Sequence, residues 1–132
     1  MAMASGNVEA FKRTITAYNS GNVEALLDEL DAAVEWRPVL PVVLGGNTTV
    51  YRGHDGVRQM LSDLDAVLAE RRLDFSEIRE EGDRIVAAGR LRIRGKRSGA
   101  LTESPFGWVG DFENGKSVCI RTSLNPNDPH ER

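Results

Sequence analysis

Histidine and cysteine, which often carry chemistry, are few in this chain, and they are widely separated. The two histidines, His54 and His130, have no cysteine or histidine partner at metal-ligand spacing, which excludes a structural zinc site. Cys119 is the one cysteine, so no disulfide forms within the chain. Its neighbours Val118 and Ile120 favour a strand, where it is a small packing residue rather than a reactive thiol. The sequence therefore predicts no metal site.

The two tryptophans, Trp36 and Trp108, could form the wall of a ligand pocket. An indole ring offers a flat apolar surface together with one N–H donor. The same rings also serve as core fillers, and the sequence leaves both interpretations open. Glu35 precedes Trp36 and should point to the opposite face, because side chains alternate along a strand.

Two groups of charged and titratable residues have a structural interpretation beside a functional one. His54 directly precedes a long helical pattern, where a contact with the helix backbone is a more common role than catalysis. Arg90, Arg92 and Arg94 alternate on one strand face. This spacing predicts a solvated or dimer-contact surface, and an anion site is the alternative.

Composition limits the class of protein. A chain of 132 residues with 40% hydrophobic and 28% charged residues is typical of one globular domain. A net charge of −3 speaks against general nucleic-acid binding, which needs a dominant basic surface. No apolar run approaches membrane-spanning length, so we expect a cytoplasmic protein without a membrane partner. We expect residues 1–6 to be a disordered start, residues 7–124 one domain and residues 125–132 a polar tail.

Apolar spacing predicts three helices ahead of most of the sheet. The first carries Val8, Phe11, Ile15 and Tyr18 on one side. Gly21 suits the left-handed end of this helix and Asn22 the cap of a second helix over residues 23–30. The third and longest helix has an apolar stripe at Val57, Met60, Leu61, Leu64, Val67 and Leu68, and it ends near residues 70–72.

Strand patterns account for the rest of the chain. A short strand covers residues 33–37, and the apolar segment 38–47 is expected to form a lid over a cavity or to cover a partner surface. Four consecutive strands then cover residues 73–79, 84–94, 101–113 and 117–124. Helices on one side of an antiparallel sheet make an α+β fold.

The last hairpin decides which side chains share a face. Asn114 and Gly115 are a strong hairpin signal, and a three-residue loop over 113–115 would place Phe112 opposite Lys116. Trp108 would then share a face with Thr122, which could be a polar anchor in an apolar wall. A register change of one residue would move Thr122 outside.

Three segments together resemble the SnoaL-like polyketide cyclases of the nuclear transport factor two-like superfamily, which also contains ketosteroid isomerase. They are residues 17–26 (AYNSGNVEAL), 51–58 (YRGHDGVR) and 112–116 (FENGK). The resemblance implies a cystatin-like or ketosteroid isomerase-like α+β fold. In that fold a cone-shaped, curved antiparallel sheet packs on N-terminal helices and one long helix around a pocket. It also implies a homodimer and no metal or organic cofactor.

The acid–base residues of the superfamily are missing from the matching positions. The oxyanion tyrosine of ketosteroid isomerase falls at Thr14, and its two aspartates fall near Trp36 and Trp108. The histidine and aspartate of the cyclases fall near Trp108 and Asn125, neither of which is a base. The catalytic residues are therefore unknown. The resemblance predicts a pocket lined by Tyr18, Trp36, Tyr51, His54, Trp108 and Thr122.

Two functions are consistent with this sequence. The first is a cofactor-free isomerase, cyclase or hydrolase that acts on a hydrophobic ring compound. The second is a non-catalytic ligand-binding or dimerisation module that has lost the acid–base residues. For either function we expect a small apolar molecule as ligand and a homodimer, because an open sheet needs cover.

Overall fold

The computed structural model describes residues 6–37 and 50–123. The helices in these residues are α1 (Gly6–Ser20), α2 (Val23–Asp28) and α3 (Gly53–Val67). The strands are β1 (Leu30–Arg37), β2 (Tyr51–Arg52), β3 (Leu68–Glu81), β4 (Arg84–Gly95), β5 (Leu101–Glu113) and β6 (Lys116–Ser123). The expected lid over 38–47, the expected tail over 125–132 and residues 1–5 of the expected disordered start lie outside the described residues. Gly6, the last residue of that start, already belongs to α1. No described helix has both the length and the apolar character needed to cross a membrane.

The strands form one six-stranded sheet in the order β2-β1-β6-β5-β4-β3. The β1–β6 pair is parallel and the other pairs are antiparallel. The predicted inner face of β4 is confirmed, because Ile85, Ala87, Leu91 and Ile93 are all buried. These residues belong to one apolar cluster with α1, α2 and α3, so the helices cover one face of the sheet. The predicted α+β architecture is therefore confirmed.

A glycine and a β-bulge on neighbouring strands bend the sheet. Gly89 of β4 lies opposite Phe75 of β3, and the pairing register shifts directly after this point, between Phe75 and Glu77. A Cβ atom on Gly89 would lie 2.0 Å from the carbonyl oxygen of Asp74 and 2.6 Å from the Cα of Phe75. The strands can approach this closely only because Gly89 has no side chain, and such bulges increase the local bend and twist.

Asn19 attaches the end of α1 to the outermost strand. Its Nδ2 donates to the carbonyl oxygen of Leu73 at 2.8 Å, and its Oδ1 accepts from the N–H of Leu73 at 2.9 Å. Because β3 is an edge strand, these two backbone groups have no partner strand on that side. The asparagine of the helix corner therefore satisfies and covers part of the sheet edge.

We expect Asn19→Asp to lower the free energy of unfolding by about 1–3 kcal/mol, since a carboxylate cannot donate to the Leu73 carbonyl. Chemical denaturation measures the change. Ser20→Ala is the matched control, because the neighbouring hydroxyl bonds only to the carbonyl of Ala17 within its own helix. Equal stability of Asn19→Asp and the wild-type protein would contradict this role.

Two predicted helix ends were wrong. The second helix ends at Asp28, and Leu30 already belongs to β1. The third helix ends at Val67, which is 47% exposed, and β3 begins at Leu68 rather than at Leu73. Pairing with β4 over nearly the whole length of β3 outweighs the helical spacing that these apolar residues also satisfy. Residues 70–72 are therefore strand residues.

The last hairpin has a two-residue turn, and not the three-residue loop considered from its sequence. Asn114 and Gly115 have φ values of 54° and 79°, and Glu113 pairs with Lys116. Positive φ at both central residues is the geometry that an Asn-Gly turn favours. A register shift after Asp111 compensates for the shorter loop and places Trp108 directly opposite Thr122. These two residues therefore share a face, as they would also have done with the three-residue loop.

Candidate functional site

Three aromatic side chains from distant parts of the chain meet on the inner face of the sheet. Tyr18 comes from α1, Trp36 from β1 and Trp108 from β5. The rings of Tyr18 and Trp36 are nearly parallel, and their centroids are 6.2 Å apart. Trp108 meets each of these rings edge to face, with centroid distances of 5.2 Å to both. We call these three residues the aromatic cluster. Such arrangements stabilise beyond the area that they bury.

Trp108 is the centre of a wider group of rings. Its indole also lies 6.0 Å from the ring of Phe11 and 5.6 Å from that of Phe75, measured between centroids. Gly110 makes room for Phe11, because a Cβ atom there would lie 2.8 Å from the Phe11 ring. Trp36 and Trp108 are each only 1% exposed. Entry of a ligand beside these indoles therefore requires neighbouring side chains to move.

Two more predicted pocket residues lie next to the aromatic cluster. Thr122 faces Trp108 across β5 and β6, and its hydroxyl donates to the carbonyl oxygen of Arg37 at 3.1 Å. Tyr51 faces Trp36 across β1 and β2. Both are only half-buried, so they mark the side of the aromatic cluster that lies nearer to solvent.

His54 is held by the backbone near the start of α3. Its Nε2 lies 3.0 Å from the carbonyl oxygen of Leu30, which fixes Nε2 as the protonated nitrogen. This contact joins α3 to the start of β1. The structural interpretation of this histidine fits the geometry better than a catalytic one, because the nitrogen in contact already serves as a donor to the backbone.

Arg71 is a charged residue on the inner face that the sequence did not single out. It lies opposite Ile93 in the β3–β4 pair, and its side chain is 10% exposed. Its Nη1 forms an ion pair with Asp65 near the end of α3. Its Cζ lies over the Tyr18 ring, 5.0 Å from the centroid, a distance typical of a cation–π contact.

Both tyrosines of the chain are held in the neutral phenol form. Burial raises the pKa of Tyr18 to about 12, against a smaller opposing effect of the Arg71 charge. Burial and then the hydrogen bond to Asp63 raise the pKa of Tyr51 to about 12. The Tyr51 hydroxyl donates to Asp63 at 2.7 Å, and this bond, followed by one from Gln59, lowers the pKa of Asp63. Tyr18 therefore remains a hydrogen-bond donor at neutral pH.

These pKa values predict loss of stability at high pH. A group whose pKa is raised in the folded state stabilises that state fully below its unfolded pKa of about 10. The contribution then disappears as the pH rises through the folded value of about 12. The free energy of unfolding should therefore fall between about pH 10 and pH 12. Tyr18 should contribute most, because it is buried while Tyr51 is half-buried.

Ultraviolet absorbance of the phenolate measures this titration, because Tyr18 and Tyr51 are the chain's two tyrosines. Circular dichroism recorded on the same samples follows unfolding. Tyr51→Phe leaves Tyr18 as the one phenol that can ionise, because the two indoles absorb but do not titrate, and so separates the two contributions. A phenolate that forms near pH 10 in folded Tyr51→Phe would contradict the burial of Tyr18.

The opposite, outer face of the sheet carries the three alternating arginines. Arg92 lies within ion-pair distance of Glu70 and Glu103, at 3.2 and 3.7 Å, and Arg94 lies 3.4 Å from Glu70. Cys119 is also on this face, next to Asp111, and burial, followed by that carboxylate, raises the pKa of its thiol. A raised pKa keeps the sulfur protonated, which fits a packing residue. Within residues 6–37 and 50–123, no group of three His, Cys, Asp or Glu side chains could hold a metal.

Comparison with known proteins supports this architecture. The family model for the SnoaL-like domain matches residues 11–120. No curated protein matches the chain. An NTF2-like protein of unknown function from Burkholderia pseudomallei is 28% identical. The match covers 92% of each chain with a TM-score of 0.80.

Two further solved structures resemble the chain and contain small molecules. TerC, co-crystallised with polyporic acid, is 25% identical, and the match covers 96% of this chain and 97% of TerC with a TM-score of 0.83. A protein from Catenulispora acidiphila with a ketosteroid isomerase-like fold, in complex with trimethylamine, is 11% identical. That match covers 87% of this chain and 84% of the other with a TM-score of 0.76, and it concerns the fold alone.

Proposed function

The chain belongs to the SnoaL-like domain family, and from this premise we propose that it binds one small, largely apolar ring compound against the aromatic cluster. The observation that carries the proposal is the meeting of Tyr18, Trp36 and Trp108 on the inner face of the sheet. Once neighbouring side chains move aside, these stacked and edge-on rings would offer a ligand flat apolar surfaces and two indole N–H donors. The half-buried Thr122 and Tyr51 add hydroxyl groups beside them. A few polar groups in an apolar wall are typical of small-molecule sites.

The similarity to TerC supports a ring compound as ligand. TerC was co-crystallised with polyporic acid, and the match to it covers almost the whole of both chains. We therefore choose polyporic acid as the first probe. Tryptophan fluorescence reports binding without a label, because Trp36 and Trp108 are the chain's two tryptophans.

We expect polyporic acid to change the tryptophan fluorescence in a saturable way. Trp36→Phe should weaken binding by roughly 3-fold or more, since it removes part of one ring contact and one indole donor. Cys119→Ala is the control, because it changes a residue on the outer face of the sheet. A wild-type fluorescence signal that does not saturate, or equal weakening by both substitutions, would contradict a site at the aromatic cluster.

A second candidate function is cofactor-free catalysis by an isomerase, cyclase or hydrolase mechanism. The neutral phenol of Tyr18 and the charge of Arg71 favour it, because two donors of this kind can stabilise a developing enolate oxygen. Such a reaction also needs an acid or base close to the ligand. Besides Tyr18 and Arg71, the buried polar side chains among the described residues are Thr14 and Ser117, and none of the four is a carboxylate or a histidine. Ligand binding is therefore the function that the described residues support best.

Turnover separates the two candidates. Saturable conversion of a ring substrate that is lost in Tyr18→Phe, while the substrate still binds, would establish catalysis. Binding without conversion over a panel of cyclic ketones and epoxides is the result that we expect. Tyr18→Phe keeps the ring and removes only the hydroxyl, so it alters the chemistry more than the packing.

We further propose that the protein is a homodimer through the outer face of the sheet. Val86 and Val109 pair there across β4 and β5 and are already buried in the single chain, so the contact would be made by the side chains around them. The surrounding arginines and glutamates supply both signs of charge, as a self-complementary surface requires. Sedimentation velocity at micromolar concentration should give a dimer, and a monomer would refute the proposal.

We place the protein in the cytoplasm, without a nucleic-acid partner. The mild net charge of −3 supports the second part of this proposal, because nucleic-acid binding needs an excess of basic residues. Fractionation of cells that express the tagged protein tests the location. A gel-shift measurement at low salt tests nucleic-acid binding.

A further inference from the structure

Arg71 occupies an unusual place for an arginine. It lies on the inner face of β3, two residues before the buried Leu73 and opposite the buried Ile93. Its side chain is nine-tenths buried, with 10% exposed. The next residue, Arg72, points to the outer face, where it is 57% exposed and pairs with Asp74. Two adjacent arginines therefore have opposite environments.

The donors of Arg71 are only partly satisfied. Its Nη1 is paired with Asp65, whose own side chain is 65% exposed. Its Nε is buried, and no acceptor in the described part of the chain accepts a hydrogen bond from it. A guanidinium group does not lose its proton at physiological pH, so the buried N–H remains a donor without an acceptor. Such a group destabilises the empty protein and favours any ligand that supplies an acceptor.

Tyr18 connects Arg71 to the proposed ligand site. The guanidinium lies over the Tyr18 ring, and the same ring contacts both Trp36 and Trp108. The Tyr18 side chain alone would therefore separate a ligand ring at the aromatic cluster from Arg71, and a substituent of that ring could reach the guanidinium. A negatively charged oxygen at that position would find an orphan N–H donor and a full positive charge.

We propose that Arg71 binds an anionic oxygen of the ligand, so that the ligand class is small aromatic acids. This inference rests on the proposed ligand site at the aromatic cluster. The ligand ring packs on the aromatic cluster, and its carboxylate or acidic enolate accepts from Nε of Arg71. Asp65 keeps the other side of the guanidinium in place and competes weakly, because it is largely solvated.

Cinnamate and cinnamamide are suitable probes, because they share a ring and a chain length and differ in charge. Isothermal titration calorimetry measures both dissociation constants. We expect the wild-type protein to prefer cinnamate by about 10-fold or more, the size of one charge-assisted hydrogen bond. Arg71→Gln should abolish that preference. Arg72→Gln removes the same charge from the outer face and should keep the preference, which controls for net charge.

Asp65→Asn provides a second test that leaves Arg71 and the core intact. It removes an exposed competing carboxylate, so cinnamate should bind more tightly while cinnamamide is unaffected. This variant decides the question even if Arg71→Gln does not fold. A purely structural role of Arg71, joining α1 and α3 to β3, predicts that Arg71→Gln weakens both probes equally.

The outcomes separate the two proposals. If the wild-type protein binds cinnamamide as tightly as cinnamate, the anion inference is overturned and the ligand site stands. If the preference for cinnamate persists in Arg71→Gln, another group binds the anion and the inference is likewise overturned. If neither cinnamate nor cinnamamide binds while polyporic acid does, the inference of small aromatic acids is overturned and the ligand site stands. If polyporic acid also fails to bind, the proposed site at the aromatic cluster fails together with the inference.

Discussion

Gly89→Ala is expected to destabilise the domain by about 3 kcal/mol or more, a large effect for the addition of one methyl group. The added Cβ would lie 2.0 Å from the carbonyl oxygen of Asp74 and 2.8 Å from its carbonyl carbon. These are backbone atoms of a paired strand, so no side-chain rotation relieves the contact. The β3 and β4 strands would have to separate where the β-bulge bends the sheet.

Gly95→Ala is the matched control on the same strand. A Cβ there would lie 2.9 Å from the hydroxyl oxygen of Ser98, which is the end of a side chain that can rotate away. We expect a cost of less than about 1 kcal/mol at Gly95, as for ordinary surface substitutions. Urea denaturation of both variants measures the difference. Similar stabilities would show that the strands do not approach this closely at Gly89.

The bend at Gly89 illustrates what sequence patterns do not contain. Alternation identified β4 and its buried face, because the pattern of Ile85, Ala87, Leu91 and Ile93 is local. The role of the glycine depends on the neighbouring strand, in particular on the bulge that follows Phe75. No residue near Gly89 in the sequence indicates that contact.

Signals from adjacent residues were the most dependable part of the sequence. Gly21 has a φ of 73° and Asn22 caps α2 by accepting from the N–H of Ala25, as both residue types indicated. The hairpin that Asn114 and Gly115 indicated is present, and both residues have positive φ values. The predicted end of α3 was wrong because Leu68 satisfies both a helical spacing and a strand pairing. The long-range pairing with β4 decides between them.

Part of the candidate site could be predicted through the resemblance to a known fold. Tyr18, Trp36 and Trp108, which the resemblance assigns to one pocket, meet on one face of the sheet, and Thr122 shares that face. That they line a pocket stays a prediction. The sequence does not indicate Arg71, because its helical spacing predicts a charged helix end at residues 70–72. Had β3 been extended to Leu68, alternation with Leu73 would have placed Arg71 inside.

Trp108→Ala is expected to cost about 3–5 kcal/mol of folding free energy, the range for truncating a buried aromatic side chain. Trp108 is 1% exposed, and its ring meets those of Phe11, Tyr18, Trp36 and Phe75. Trp108→Phe keeps an aromatic ring at the same place and should lose much less folding free energy. Thermal and urea denaturation of the two variants measure their losses of folding free energy.

This substitution also separates the two roles that the sequence left open for Trp108. A residue that lines an open pocket loses few contacts on that side, so its truncation would cost well under the core value. A residue enclosed by other rings leaves a cavity of its own shape when it is truncated. Such an apolar cavity stays dry and binds a molecule of matching shape. Added indole should therefore raise the melting temperature of Trp108→Ala in a concentration-dependent way and leave Trp108→Phe unchanged. A small loss of stability without rescue by indole would instead identify Trp108 as the wall of a space that is already open to a ligand.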